Sequence, residues 1–165
     1  MENIQEIYIN LDDSGKLSNK EIVCVYGGII FTSKKQKDKF ITQYKSIIDD
    51  IKCHYCKVCN KVCPEIKNTN IKKSHKRRIM NYLKKYSICA LVIKNENVYN
   101  YIKNNKAAKG RFIDYSIRRL IKEIINKLIE EDVVNPNLPL KLIINIDQQA
   151  TKSNGYYNLR EGIIE

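Results

Sequence analysis

Four short apolar runs limit most strongly what this chain can fold into. They are residues 4–11 (IQEIYINL), 22–32 (IVCVYGGIIFT), 87–94 (SICALVIK) and 140–147 (LKLIINID). Their lengths and β-branched content suit pleated strands. The first alternates, with Ile7, Ile9 and Leu11 on one side and Tyr8 and Asn10 on the other. That pattern predicts a half-buried strand. The second run is nearly continuous, which predicts a strand buried on both faces, and the last two read as buried strands. Gly27-Gly28, inside the second run, predicts a bulge or a close backbone approach.

Stretches of helical period lie between these runs. Residues 33–52 carry Phe40, Ile41, Tyr44, Ile47, Ile48 and Ile51 on one stripe, and Ser33 is placed to cap their start. Residues 74–86 turn Ile79, Met80 and Leu83 inward, and residues 95–109 read as a polar loop with room for a short helix. After Gly110, residues 111–131 present Ile113, Ile117, Leu120, Ile121, Ile124, Ile125 and Leu128, until Pro136 and Pro139 stop the pattern. Residues 156–165 read as the opening of a last helix. Strands alternating with helices predict an α/β layered domain. At 165 residues and 43% hydrophobic content, one domain spanning 1–165 with a true core is expected.

No run approaches the roughly 18 apolar residues of a membrane helix. The opening MENIQEIYIN is acidic and alternating, unlike a signal peptide. A cytoplasmic protein with no membrane partner is therefore expected. The net charge is +12, but a Lys-, Ile- and Asn-rich composition discounts it as evidence of a partner. Its distribution says more. Residues 50–128 hold 20 bases and five acids, a local excess of 15. The bases Lys72, Lys73, Lys76, Arg77 and Arg78, and Lys109, Arg111, Arg118 and Arg119, flank the run at 87–94. Tyr55, Tyr82, Tyr86, Tyr99, Tyr101 and Tyr115 interleave with them. Bases mixed with aromatic rings suit DNA or RNA, through phosphate contacts and base stacking. The competing reading is a solvated helix face.

Residues 53–64, CHYCKVCNKVCP, break the helical period and read as a Cys-rich loop. Cys53, Cys56, Cys59 and Cys63 have the spacing C-x2-C-x2-C-x3-C-P. Clustered thiols in a reducing compartment point to metal or redox chemistry rather than disulfides. Zn²⁺ needs four tetrahedral S or N ligands, with His54 and His75 as spare donors. The same spacing occurs among ferredoxin cluster ligands, so an iron–sulfur cluster is the alternative, and metal-free thiols a third. Cys24 and Cys89 sit in strand runs and read as small core residues.

Acids mark the strand ends. Asp12 and Asp13 follow Leu11, and Asp147 closes LIINI. Glu65 stands within the basic segment, just after Pro64. Strand-end carboxylates can converge on Mg²⁺ ions about 4 Å apart, or can simply form turns before Ser-Gly.

Several motifs occur in an order that resembles the DUF3800 family, related to the RNase H-like superfamily. They are Leu11-Asp12-Asp13-Ser14-Gly15, Gly27-Gly28-Ile29-Ile30, Glu65-Ile66-Lys67, the basic stretch Lys72–Ile79, SICALVIKN, GRFIDYSIRRLIKEII and Ile146-Asp147-Gln148. The resemblance implies an RNase H-like mixed sheet flanked by helices, with the Cys-rich metal-binding loop inserted. It implies Asp12, Glu65 and Asp147 as catalytic ligands of Mg²⁺ or Mn²⁺ in a nuclease-like site. Family members continue to a Gln-x-Ala-Asp helix that supplies another acid, which this sequence lacks. The expected function is a metal-dependent nuclease acting on nucleic-acid phosphodiesters. The alternative is a non-catalytic nucleic-acid-binding module with a zinc-stabilised loop, and an iron–sulfur protein ranks behind both. A metal at the Cys run predicts about one metal equivalent per chain by elemental analysis and a melting temperature that falls on chelation. Metal-free protein with an unchanged melt would reject it.

Overall fold

The computed structural model describes residues 4–59 and 71–146, without the side chains of 54–59. The element order is β1 (Gln5–Ser14), β2 (Val23–Phe31), α1 (Lys34–Cys59), α2 (Lys73–Leu83), β3 (Ser87–Lys94), a single 3-10 turn (Asn95–Asn97), α3 (Asn100–Asn104), α4 (Lys106–Glu130) and β4 (Leu140–Ile146). The expected α/β arrangement is present as a four-stranded mixed sheet in the order β3-β2-β1-β4. β1, β2 and β3 form an antiparallel meander, and β4 lies parallel to β1 on the other side.

The period-two pattern of β1 divides the molecule into two layers. Ile7, Ile9 and Leu11 join Cys24, Tyr26, Ile30 and Ile93 on one face. The buried stripe of α4, including Ile113, Ile117, Ile121, Ile124 and Leu128, covers that face. Tyr8 and Phe31 point the other way and meet Phe40 of α1 and Tyr82 of α2. Phe40 stacks on Tyr82 and Tyr44 at centroid distances of 5.5 Å each. The Tyr82 hydroxyl also donates to the carbonyl of Phe40 at 3.2 Å.

Local signals explain most element ends. Ser33 caps α1, its Oγ accepting from the Gln36 N–H at 3.2 Å. Gln36 Oε1 in turn accepts from the Thr32 N–H at 2.8 Å. Several expectations need correction. Met80, expected inward, is 52% exposed on α2. β4, expected to be buried, is an outer strand with none of its residues fully buried. The helix α1 runs on through Cys59, so residues 53–59 of the expected Cys-rich loop are helical. No Gly or Pro occurs between Lys34 and Cys59 to stop it. The helix α4 starts at Lys106 rather than after Gly110, because Asn105 Oδ1 caps it from the Ala108 N–H at 3.0 Å. Gly110 is buried inside the helix, not a boundary. β3 is an outer strand, with Ile88 65% and Val92 57% exposed rather than buried.

The Gly pair divides its roles between the two faces. A Cβ at Gly28 would lie 2.2 Å from the Asn10 carbonyl oxygen, so the close approach is real. A Cβ at Gly27 would meet nothing within 4 Å. The β1–β2 register runs unbroken from Tyr8–Phe31 to Ser14–Val25, so no bulge forms there. The turn that follows uses Gly15 at φ +80°, a left-handed conformation that suits glycine. It is tied to the end of β3 by Asn95, a buried side chain whose Nδ2 donates to the carbonyls of Lys16 at 2.9 Å and Glu21 at 2.8 Å.

The contrast predicts that Gly28→Ala destabilises by about 1–3 kcal/mol through overpacking. Gly27→Ala is expected to change stability by less than about 1 kcal/mol. Urea unfolding midpoints of the two variants check this, and equal shifts would refute it.

Candidate functional site

The parallel pairing of β1 and β4 ends at Leu11 beside Ile146. Asp12 is the next residue of β1, exposed, and opposite Gly27 on β2. By strand alternation Tyr8, Asn10 and Asp12 share the face that α1 and α2 cover. That cover stops short of Asp12. Among the described residues, Ile88, Ala90 and Val92 of β3 are exposed on this part of the sheet. A groove of about 650 Å³ lies here, lined by Asn10, Asp12, Gly27, Ile29, Phe40 and Tyr44 among others. Its floor is apolar and its polar groups gather at the Asp12 end.

Two neighbours of Asp12 escape a reading of the strand ends. Asn145 of β4 pairs with Asn10, and its Nδ2 donates to Asn10 Oδ1 at 2.7 Å. Asn10 and Asp12 share one face of β1, and both line the groove. Asp12 Oδ1 accepts the Asp13 N–H at 3.0 Å, which fixes the carboxylate against its own turn. The alternation of β1 already puts Asn10 beside Asp12. Asn145 needs the parallel register, which no local pattern reveals.

Asp13 faces the opposite way, toward α4. Burial pushes the Cys24 thiol up; Asp13 pushes it further the same way, and Lys109 opposes it. Cys89 is half-buried and its thiol is also pushed up by burial. Both thiols behave as the small core residues expected of them.

The remaining expected site residues divide sharply. Glu65, Cys63 and Asp147 lie outside the described residues, as do the side chains of His54, Tyr55, Cys56 and Cys59. Cys53 is exposed on α1. Among the described residues, no three His, Cys, Asp or Glu side chains gather into a group that could hold a metal. The bases fall into two sets. Lys72, Lys73, Lys76, Arg77 and Arg78 belong to the start and body of α2, on the Asp12 face of the sheet. Arg78 is held by Asp50 of α1 at 2.7 Å. Lys109, Arg111, Arg118 and Arg119 belong to α4, on the opposite face. The tyrosines divide as well. Tyr82 is buried, and Tyr86 packs on Phe31, Phe40 and Tyr82, so neither ring can stack on a base. Burial and then the Tyr86 contact push the Tyr82 hydroxyl far above its usual value. Tyr99, Tyr101 and Tyr115 are exposed.

Comparison with family models, with curated proteins and with solved structures gives no match. Among the described residues, no helix is long and apolar enough to cross a membrane.

Among the described residues, Asp114 of α4 is the one carboxylate whose titration departs upward. Burial pushes it up and Arg118 pulls it partly back. A carboxyl raised in the folded state opposes folding once it is charged. That cost exists above its folded value and vanishes below the ordinary aspartate value of about 3.9. Asp114→Asn should therefore raise the melting temperature at pH 7, with the gain shrinking as pH falls to about 3. Thermal melts at the two pH values check this, and a gain independent of pH would refute it.

Proposed function

We propose that this chain is a metal-dependent, nuclease-like domain of the RNase H-like class, acting on nucleic-acid phosphodiesters. The observation that carries the proposal is the side-by-side end of β1 and β4, with Leu11 paired to Ile146. Asp12 follows Leu11, and Asp147 follows Ile146 in the chain. Asp12 inside β1 and Asp147, next in sequence after the neighbouring parallel strand β4, would suit a shared cation. The mixed sheet flanked by helices, with the acid-bearing strand inside it, supports the same class.

The one described donor of this set, Asp12, has the chemistry of a Mg²⁺ or Mn²⁺ ligand. A hard cation takes oxygen ligands, and Asp12 is an exposed carboxylate on the same strand face as Asn10. Asp12, Asp147 and Glu65 would hold the ion, which supplies an activated water and charge stabilisation when bound. The chain itself would orient the phosphodiester. Asp12 is fixed by the Asp13 N–H, and nearby bases neutralise the backbone. The Cys53, Cys56, Cys59 and Cys63 run would hold Zn²⁺, or an iron–sulfur cluster, in a structural role that orders the chain leading into Glu65.

One observation favours the second reading, a non-catalytic nucleic-acid-binding module. The exposed Tyr115 and the bases of α4 lie on the sheet face opposite Asp12. A cleavage assay with Mg²⁺ or Mn²⁺ separates the two readings. Asp12→Asn and Asp147→Asn are each expected to lower the rate at least about 100-fold, beyond the 10–100-fold typical of outer-shell partners. Equal rates in wild type and both variants would leave the binding module.

A further inference from the structure

The outer face of α4 is richer than the candidate site explains. The helix carries seven bases against three acids. Beside it, β4 is the last strand of the sheet among the described residues, so one flank of α4 looks onto an open strand edge. A groove of about 650 Å³ runs between them. Tyr115, Arg118, Arg119 and Lys122 form its helical wall, and Ile125 and Leu142 contribute apolar surface. Glu123 also lines it. The residues Arg111, Tyr115, Arg119 and Lys122 recur three or four positions apart, which keeps them on one exposed side of the helix.

The chemistry of this groove is mixed in a particular way. Its apolar lining and the ring of Tyr115, 54% exposed, offer flat surface to an unpaired base. Arg119 and Lys122 are exposed beside it and offer charge to the flanking phosphates. A duplex keeps its base faces in its own stack and can use only the charges. A single strand can use both. The α2 bases provide no such ring, since Tyr82 is buried and Tyr86 is occupied by Phe31 and Phe40.

We propose that the α4–β4 groove binds single-stranded nucleic acid, with a base stacked on Tyr115 and phosphates on Arg119 and Lys122. This rests on the nucleic-acid reading above and narrows it to a strand state and a face. The shared chemistry is an unpaired base next to a phosphodiester, which DNA and RNA both supply.

Fluorescence anisotropy of the full chain tests it, without added Mg²⁺ or Mn²⁺. The probes are a labelled single-stranded 20-mer as DNA, the same sequence as RNA, and the DNA duplex. Both single strands are expected to bind tighter than the duplex, and the tighter of the two names the natural sugar. Tyr115→Ala should weaken single-strand binding about tenfold, the loss of one stack, and Tyr115→Phe should retain it. The double variant Arg119→Gln/Lys122→Gln should lower the slope of log affinity against log salt by about 1.4. Lys73→Gln/Arg77→Gln on α2 reports on the other basic face, and the groove predicts that it lowers the affinity less than Arg119→Gln/Lys122→Gln does. Duplex binding as tight as single-strand binding, or a Tyr115→Ala variant that melts and binds like wild type, would overturn the proposal. If wild type binds and only the α2 variant weakens it, the groove is wrong while the nucleic-acid reading stands. If wild type binds none of the probes at low salt, both fail.

Discussion

The pairing of β1 on both its edges is the constraint from which the rest of the structure follows. Its antiparallel partner β2 arrives through the short connection 15–22, and its parallel partner β4 arrives after a long crossover through α4. A parallel neighbour requires such a crossover, and the crossover helix must lie on one face of the sheet. That face receives Ile7, Ile9 and Leu11, and the other receives Tyr8. A one-residue slip of β1 would exchange these sets and put Asn10 and Asp12 into the isoleucine layer of α4, where their polar atoms would lack partners.

The same sheet keeps the bases apart. In the sequence, residues 72–119 form one basic region, yet α2 and α4 pack on opposite sides of four strands. The charge of this region therefore works as two surfaces. The α2 surface is partly committed to structure, through the Arg78–Asp50 pair. The α4 surface combines its charge with an exposed ring and an open groove. Charge density along a chain measures a partner poorly until the sheet has sorted it by face.

How legible this was depends on the range of each interaction. The bounds of β3 follow from Ser87 and Lys94 framing an apolar run, and Ser33 capped its helix as its side chain implies. These are local signals. The layer that Ile88 and Val92 face is not local, and an apolar run gives no sign of whether its strand lies inside or at the edge of a sheet. Tyr82 shows the same limit, since its neighbours in sequence are basic and its neighbours in space are Phe40 and Tyr86. At the candidate site, Asp12 stood out because it ends an alternating run. Asn145 did not, because only the parallel register sets it against Asn10.

Asn95 holds the turn after β1 by its main chain, through the carbonyls of Lys16 and Glu21. A clamp that grips carbonyl oxygens takes no account of side chains. Asn19 and Lys20, exposed between the two gripped residues, can therefore change identity without loosening the frame behind Asp12 and Asp13. Variation in that short stretch is mechanically cheap. The loop can be retuned for whatever approaches the acidic end of β1 while the strand that presents those acids keeps its place.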